Sequence, residues 1–528
     1  MRWVDAIIVL IYMAAMVLLG LWFARRQTST EAYFVAKRSI PAWAMGVSLY
    51  ATLITSITFI AYPGNAYAGN WAELIPGFMV VVVLVLVGFF IIPFYREVVG
   101  MSAYEYFGKR FGKGVRAYSS FAFAIGHFFK MGSVYYLLGL GIASMTGWDT
   151  YAVIVGVGIV TVLYTYLGGL EAVIWADVIQ GFIKLIGVLI CLGYLLFLPP
   201  GGPSATLRLA WESGKISLGN FDWSLANKSS LVLGLYGFFW YLQKYTADQT
   251  LVQRYLVAKN DRDALKGVAL GAILCIPVWA LFLLIGSLLW SFYKLTGETL
   301  PARISKADQV FPYFLSTHIP VGMAGLFMAS LLAAAMSMLS SDLNCLAVVG
   351  VEDYYRMLKP DSSDRQRLRV GKLIVAFCGA LAVLIAIILA KNAGAALGLY
   401  FIVSSIVAGG LFGLFGLAFL STRVNRKSAW VGIVASLLFT TYGVVTKEQK
   451  ALNLGPFNFP WHPIMIGVLA HVVLAAVGYA ASFFFSEPAL APDLTIWGWL
   501  RKRRATSEHL IAETKPEVPP ASSKVSSS

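Results

Sequence analysis

Several residues of this chain sit where their chemistry is costly, and together they point to the handling of a small cation. The run Ala51-Thr52-Leu53-Ile54-Thr55-Ser56-Ile57-Thr58, followed by Pro63 and Gly64, lies inside an apolar stretch. Its β-branched and hydroxyl side chains weaken a regular helix there and leave carbonyl oxygens free for an ion. The same hydroxyls would equally suit back-bonding to the preceding turn and close packing between helices. Ser337, Ser340 and Ser341 recur at i, i+3 and i+4, so their oxygens line one helix face as hard ligands suited to an alkali cation. Asp342, turned about 100° from Ser341 around the axis, either borders that ion path or pairs with a basic side chain on another helix.

Asp177 lies about a turn and a half into another apolar stretch, with Gln180 after it, and a carboxylate there needs a cation, a basic partner or a proton. Lys130, Lys184 and Lys244 also fall inside apolar stretches, where a charge costs about 2.5–3.5 kcal/mol unless it is paired or wetted. Lys130 is too deep to reach water easily, and would pair with Glu73 or hold an anionic substrate. Lys244 and Asp248, four apart, form an intrahelical pair.

The elements that must hold these groups are membrane helices. Of 528 residues, 59% are hydrophobic and 13% charged. That is more apolar surface than a water-soluble chain of this length can hide. About thirteen stretches are long enough to cross about 30 Å of hydrocarbon: 4–24, 42–66, 72–95, 117–146, 151–168, 172–198, 230–250, 264–293, 321–349, 370–390, 395–420, 428–446 and 463–486. The first lacks a cleavage site and is a retained span.

With the N-terminus outside, 28 of the 41 Lys and Arg face the cytoplasm and ten face outward, so the basic side predicts an N-out, C-in topology. The formal charge of +15 therefore reads as topology, and no nucleic-acid partner is expected. Cys191, Cys275, Cys345 and Cys378 lie in apolar stretches without CxxC spacing, which argues against disulfides and structural zinc. Segment 199–229, with Pro199, Pro200, Gly201, Gly202 and Pro203, reads as an outer loop, and the Ser-rich end as a disordered tail. No arrangement of nucleophile, metal or acid–base pair points to an enzyme.

Five stretches carry a family resemblance: Glu31-Ala32-Tyr33-Phe34, Ser56-Ile57-Thr58-Phe59, Ser102-Ala103-Tyr104-Glu105-Tyr106, Tyr164-Thr165-Tyr166-Leu167-Gly168-Gly169 through Gln180, and Val252-Gln253-Arg254-Tyr255. In these the chain resembles the sodium:solute symporters, including bacterial sodium-coupled sialic acid symporters and sodium/glucose cotransporters. The resemblance implies an all-α polytopic membrane protein with a leucine-transporter-like fold of two inverted five-helix repeats whose first helices are broken around a midplane site. It implies an extra N-terminal helix and first cytoplasmic loop in 1–41, the first repeat and outer loop in 42–229 and the second repeat in 230–427. Two additional helices in 428–486 and a cytoplasmic tail in 487–528 complete the chain.

The resemblance also implies a common sodium site at Ala51, Ile54, Ala334 and Ser337, and a second at Asp177, Ser340 and Ser341. The residue after Ser337 is usually a second hydroxyl in that family and is Met338 here. A thioether is a poor ligand for a hard cation. Substrate contacts are implied at Thr55, Thr58, Glu73 and Lys130. Leu53 and Gly77 replace polar residues expected of a sialic acid pocket, and the lysine of glucose-type members is not evident near Pro277.

The expected activity is sodium-driven symport of a small polar solute, a sugar or polyol with Glu73 neutralising Lys130, by alternating access in a bacterial inner or plasma membrane. Uptake of a sugar acid such as sialic acid, or proton-coupled transport, is the alternative. Sodium is the coupling ion, no organic cofactor is called for, and the partners are the solute and the lipid bilayer, with no obligate protein partner evident.

Overall fold

A computed structural model describes residues 3–302, 304, 306–391, 409–448, 452–485 and 487–514. Among them the structure is helical, and nine helices are long and apolar enough to cross a bilayer, or ten if one bent pair counts as a span. Numbering the long helices and the halves of broken ones, these are α1 (Trp3–Ala24), the pair α2 (Ala42–Leu53) and α3 (Ser56–Ala68), α4 (Leu74–Val98), α5 (Lys113–Thr146) and α6 (Thr150–Phe197). There follow the pair α7 (Ser230–Ala247) and α8 (Gln249–Leu256), α9 (Asp261–Thr296), α10 (Met323–Leu358), α11 (Asp364–Lys391), α12 (Leu411–Leu420), α13 (Arg426–Gly443), α14 (Ile464–Ala481) and α15 (Ile496–Thr514). Residues 395–408 of the eleventh expected span, and 515–528 of the expected tail, lie outside the described residues.

Apolar side chains cover the outward helix faces. Phe89 is 71% exposed, Phe377 67% and Leu438 67%, which only a hydrocarbon solvent makes favourable. The interior is built around α10, on which every residue from Phe327 to Val349 is buried.

Two helices are interrupted in mid-course. The β-branched run ends α2 at Leu53; Ile54 and Thr55 are extended, and α3 departs at 59°. Asp248 interrupts the other: its backbone is extended (φ −108°, ψ 117°), and its carboxylate caps the N-terminus of α8 through Thr250 N. Polar backbone released in this way is stable in a membrane only where protein groups take it up.

The 48 residues of α6 would extend about 72 Å if straight, more than twice the thickness of the hydrocarbon core. The helix turns back on itself at Gly169, whose backbone is non-helical (φ 59°, ψ −160°). Val153, Val157 and Tyr164 of the first half meet Leu332 and then Met336 of α10. Lys184 and Gly187 of the second half meet Ser337 and then Ser330, in the reverse direction. The stretches expected as separate spans at 151–168 and 172–198 are these two antiparallel arms. A Cβ at position 169 would lie 2.9 Å from the Tyr33 carbonyl oxygen. Tyr33 OH donates to the carbonyls of Thr165 (3.1 Å) and Tyr166 (3.2 Å), so one aromatic residue fills the turn and satisfies its freed oxygens.

Two segments expected as irregular are helical. Gly202–Glu212 forms a helix, because left-handed Gly201 precedes it and Pro203 occupies its first turn, a favoured N-terminal arrangement. The tail begins with α15, whose Trp499 is buried and donates to Glu97 Oε2 at 2.7 Å. Its indoles find partners that the basic, Ser-rich composition did not suggest.

Candidate functional site

Where α2 stops, the carbonyls of Ala51 and Ile54 have lost their helical partners and face the second arm of α6. The Lys184 ammonium lies between them: it donates to Ala51 O, to Ile54 O (3.0 Å) and to Ser337 Oγ of α10 (2.6 Å). Ser337 Oγ in turn donates to Ala51 O at 3.0 Å. Three of the four atoms or residues expected at the common ion site therefore converge, and an ammonium with three donors is fully matched by them. The fourth, Ala334, contributes a carbonyl 3.5 Å from Ser337 Oγ within its own helix. Lys184 is fully buried. Its position inside an apolar stretch was the only signal in the sequence; the partners come from α2 and α10, far away along the chain.

Two turns back along α6, Asp177 is also fully buried. Its Oδ2 accepts from Ser48 Oγ (2.6 Å), Thr52 Oγ1 (3.4 Å) and Arg254 Nη2 (3.2 Å). Arg254 Nη2 also reaches Ser341 Oγ (2.6 Å) and Thr52 Oγ1 (3.1 Å). Asp177 and Ser341, expected together at the second ion site, do meet, with a guanidinium bridging them. Ser340 Oγ donates to Ser337 O of its own helix at 3.2 Å.

Asp177 Oδ1 and Gln180 Oε1, one turn apart, are buried without a hydrogen-bond partner. Buried oxygens left open in this way are costly, and they are what a dehydrated alkali cation requires. Arg254, one of the 28 basic residues that the sequence places on the cytoplasmic side, is completely buried because the break at Asp248 turns α8 inward. Ser48, a turn before Thr52, carried no signal of its own.

A second polar cluster joins α5, α7 and α10. Lys130 Nζ lies 3.1 Å from Asp342 Oδ2, Lys244 pairs with Asp248, and His127 Nε2 lies 3.5 Å from Asp248 Oδ2 and 3.9 Å from Asp342 Oδ1. The expected Lys244–Asp248 pair is present. The expected Glu73–Lys130 pair is not: Glu73 pairs with Lys228 and accepts from Asn65 Nδ2 at 3.4 Å. Helix α10 brings a carboxylate to Lys130, whereas Glu73 stands just before α4 beside the segment that leads into α7. Thr55 directly precedes α3 and Thr58 is buried in its first turn. Beyond them Phe59 packs on Phe282 of α9 (4.5 Å between ring centres) and Phe327 of α10 (5.8 Å).

Polar residues of the motif stretches brace one end of the assembly. Gln253 Nε2 donates to Phe34 O and Asn344 Oδ1, Tyr104 OH to Ala247 O (3.1 Å), and Ser102 Oγ to Asp353 Oδ2 (2.6 Å). Arg116 reaches Asp353 Oδ1 at 2.6 Å.

Residues 33–435 match the profile described as the sodium:solute symporter family. The sodium/sialic acid symporter NanT of Aliivibrio fischeri is 30% identical over 500 residues, covering 94% of this chain and 96% of its own. The sodium/sialic acid symporter SiaT of Proteus mirabilis is 34% identical over 430 residues, covering 81% and 86%. A solved structure described as the substrate-bound outward-open state of a Na+-coupled sialic acid symporter superposes with a TM-score of 0.84 at 31% identity, covering 92% of this chain and 98% of that one.

Proposed function

The chain belongs to the sodium:solute symporter family, and from that premise we propose that its solute is a carboxylated sugar of the sialic acid type. The general activity is that of the family: a secondary transporter, not an enzyme, that couples sodium entry to uptake of a small polar solute by alternating access across a membrane it spans many times. The solute class is the finer step. It replaces the neutral sugar or polyol expected from the sequence, because the sialic acid symporters of Aliivibrio fischeri and Proteus mirabilis match most of the chain at 30% and 34% identity and a sodium-coupled sialic acid symporter superposes with a TM-score of 0.84. Glu73 itself is engaged with Lys228, so the Glu73–Lys130 pair expected of a neutral-sugar pocket is not formed, and Lys130 is balanced by Asp342 instead.

In this reading Lys130, a quarter exposed and using one donor on Asp342, offers its remaining donors to the solute carboxylate, and Thr55 and Thr58 at the broken helix offer hydroxyls. Glu73 with Lys228 borders the outer approach. Sodium binds at Asp177, where the open Oδ1 atom supports it, with Ser340 and Ser341 beside it. The N-terminus is outside, and the two broken helices head two inverted repeats, residues 42–229 and 230–427. Ion binding favours the conformation in which the broken helix and the serine face of α10 meet, and that difference in affinity is the coupling. One sodium entering down a tenfold gradient releases about 1.4 kcal/mol, and a potential of about 100 mV adds about 2.3 kcal/mol only for a solute that carries no opposing charge.

The observation that carries the solute class is the 0.84 TM-score to a sialic acid symporter over nearly the whole of both chains. Uptake into proteoliposomes of a labelled panel (N-acetylneuraminic acid, glucuronic acid, glucose, galactose, inositol) with and without an inward sodium gradient tests it. Sodium-dependent accumulation of the nine-carbon acid, unaffected by excess glucose, is expected. Accumulation of a neutral sugar in preference to both acids would overturn the assignment.

A further inference from the structure

Taking the chain as the sodium-coupled transporter proposed above, we infer that Lys184 is a tethered cation that occupies the common ion position in place of a transported ion, so that one sodium and not two accompanies each solute. Three observations converge. The Lys184 ammonium is held by Ala51 O, Ile54 O and Ser337 Oγ, two freed carbonyls of the broken helix and one hydroxyl of α10, which is an oxygen cage suited to an alkali cation. All three N–H donors are spent there, the side chain is fully buried, and an ammonium and a sodium ion cannot share those oxygens.

The next residue, Met338, is fully buried and carries a thioether, a poor ligand for a hard cation. The ammonium makes good what the missing ligand would have weakened.

Charge points the same way. Lys184 and Arg254 both lie within electrostatic range of Asp177. This buried layer therefore has two positive groups against one negative before any ion enters. A sodium at Asp177 Oδ1 and Gln180 Oε1 still meets open acceptors. A sodium among the Ala51, Ile54 and Ser337 oxygens would meet a full shell and a like charge. The ammonium also does the mechanical part of the ion's work, since it ties the end of α2 to α6 and α10 without leaving the protein. Conformational switching at this layer then depends on the sodium at Asp177. With a singly charged sugar acid, one sodium makes the transported pair electrically neutral.

The test is direct sodium binding to purified protein without solute, by scintillation proximity with 22Na+, so that it does not depend on the solute's identity. Wild type is expected to bind about one sodium per chain with a Hill coefficient near one. Lys184→Met, which keeps the side-chain volume, removes the tethered charge and frees the carbonyls. The double variant Lys184→Ala with Met338→Ser also restores a hydroxyl, and is expected to bind about two sodium ions per chain with a Hill coefficient above one. If the single variant fails to fold, the double variant still decides the question, as does Met338→Ser alone, which is expected to stay at one ion. Two sodium ions on wild type, or one on the double variant, would overturn the tethered-cation assignment while leaving sodium coupling intact. No sodium on any of them would overturn sodium coupling and this assignment together.

Discussion

Replacing Asp177 with Asn keeps the shape of the side chain and an acceptor for Ser48 while removing the carboxylate that faces Arg254 and lies within electrostatic range of Lys184. Two consequences can be separated. Arg254, fully buried and 3.2 Å from Asp177 Oδ2, is left unpaired, and breaking a buried pair on one side costs about 3–5 kcal/mol of stability. Sodium loses its counter-charge as well. At about 4 Å and an effective dielectric of about 20, that attraction is about 4 kcal/mol, or roughly a thousandfold in affinity. The assay is the thermal midpoint of detergent-solubilised protein titrated with sodium against choline. A ligand at about 100 times its Kd stabilises by about 2.7 kcal/mol, so wild type shows a sodium-dependent rise that Asp177→Asn lacks. The double variant Asp177→Leu with Arg254→Met removes both charges, and such replacements are neutral or stabilising by about 1–4 kcal/mol. It is expected to recover the midpoint but not the sodium response. If Asp177→Asn, or the recovered double variant, binds sodium within tenfold of wild type, Asp177 is not the ion's ligand.

Other perturbations follow from particular contacts. Gly169→Ala forces a side chain into backbone that only glycine adopts freely and against the Tyr33 carbonyl. The conformation alone costs about 1–3 kcal/mol, so the yield of monodisperse protein on size exclusion should fall sharply, whereas Gly193→Ala, with open space around it, should not change it. Lys130→Met leaves Asp342 buried without its ammonium. It should lower uptake of the acidic solute by at least tenfold while sodium binding in the absence of solute persists. If that variant transports normally, Lys130 has only a structural role. Glu73→Gln breaks an ion pair whose lysine is half exposed and should change stability by less than about 1 kcal/mol, read from the same thermal midpoint.

What could be read from the sequence was local, and what could not was long-range. The break after Leu53 follows from β-branched and hydroxyl residues crowding one stretch. The serine face of α10 follows from i, i+3, i+4 spacing, and the importance of Asp177, Lys130 and Lys184 from the cost of charge in hydrocarbon. None of these signals names a partner. Lys130 meets Asp342 instead of Glu73 because α5 packs against α10, a contact made 212 residues away. Lys184 reaches Ala51 O across 133 residues. Arg254 reads as a loop cation because it follows an apolar stretch by a few residues, and only the extended backbone at Asp248 redirects it inward. The helix at Gly202–Glu212 was hidden by its Pro and Gly residues, which serve there to start it.

The account depends most on sodium and solute moving together through the layer that Asp177 occupies. Proteoliposomes loaded without sodium and given 22Na+ and tritiated N-acetylneuraminic acid at once measure this directly, with the membrane potential set by potassium and valinomycin. The account predicts that each flux requires the other, with about one sodium per solute and little change in rate between 0 and about −100 mV, because the pair carries no net charge. Solute entry at an undiminished rate in choline, or sodium entry unaffected by the solute, would contradict it.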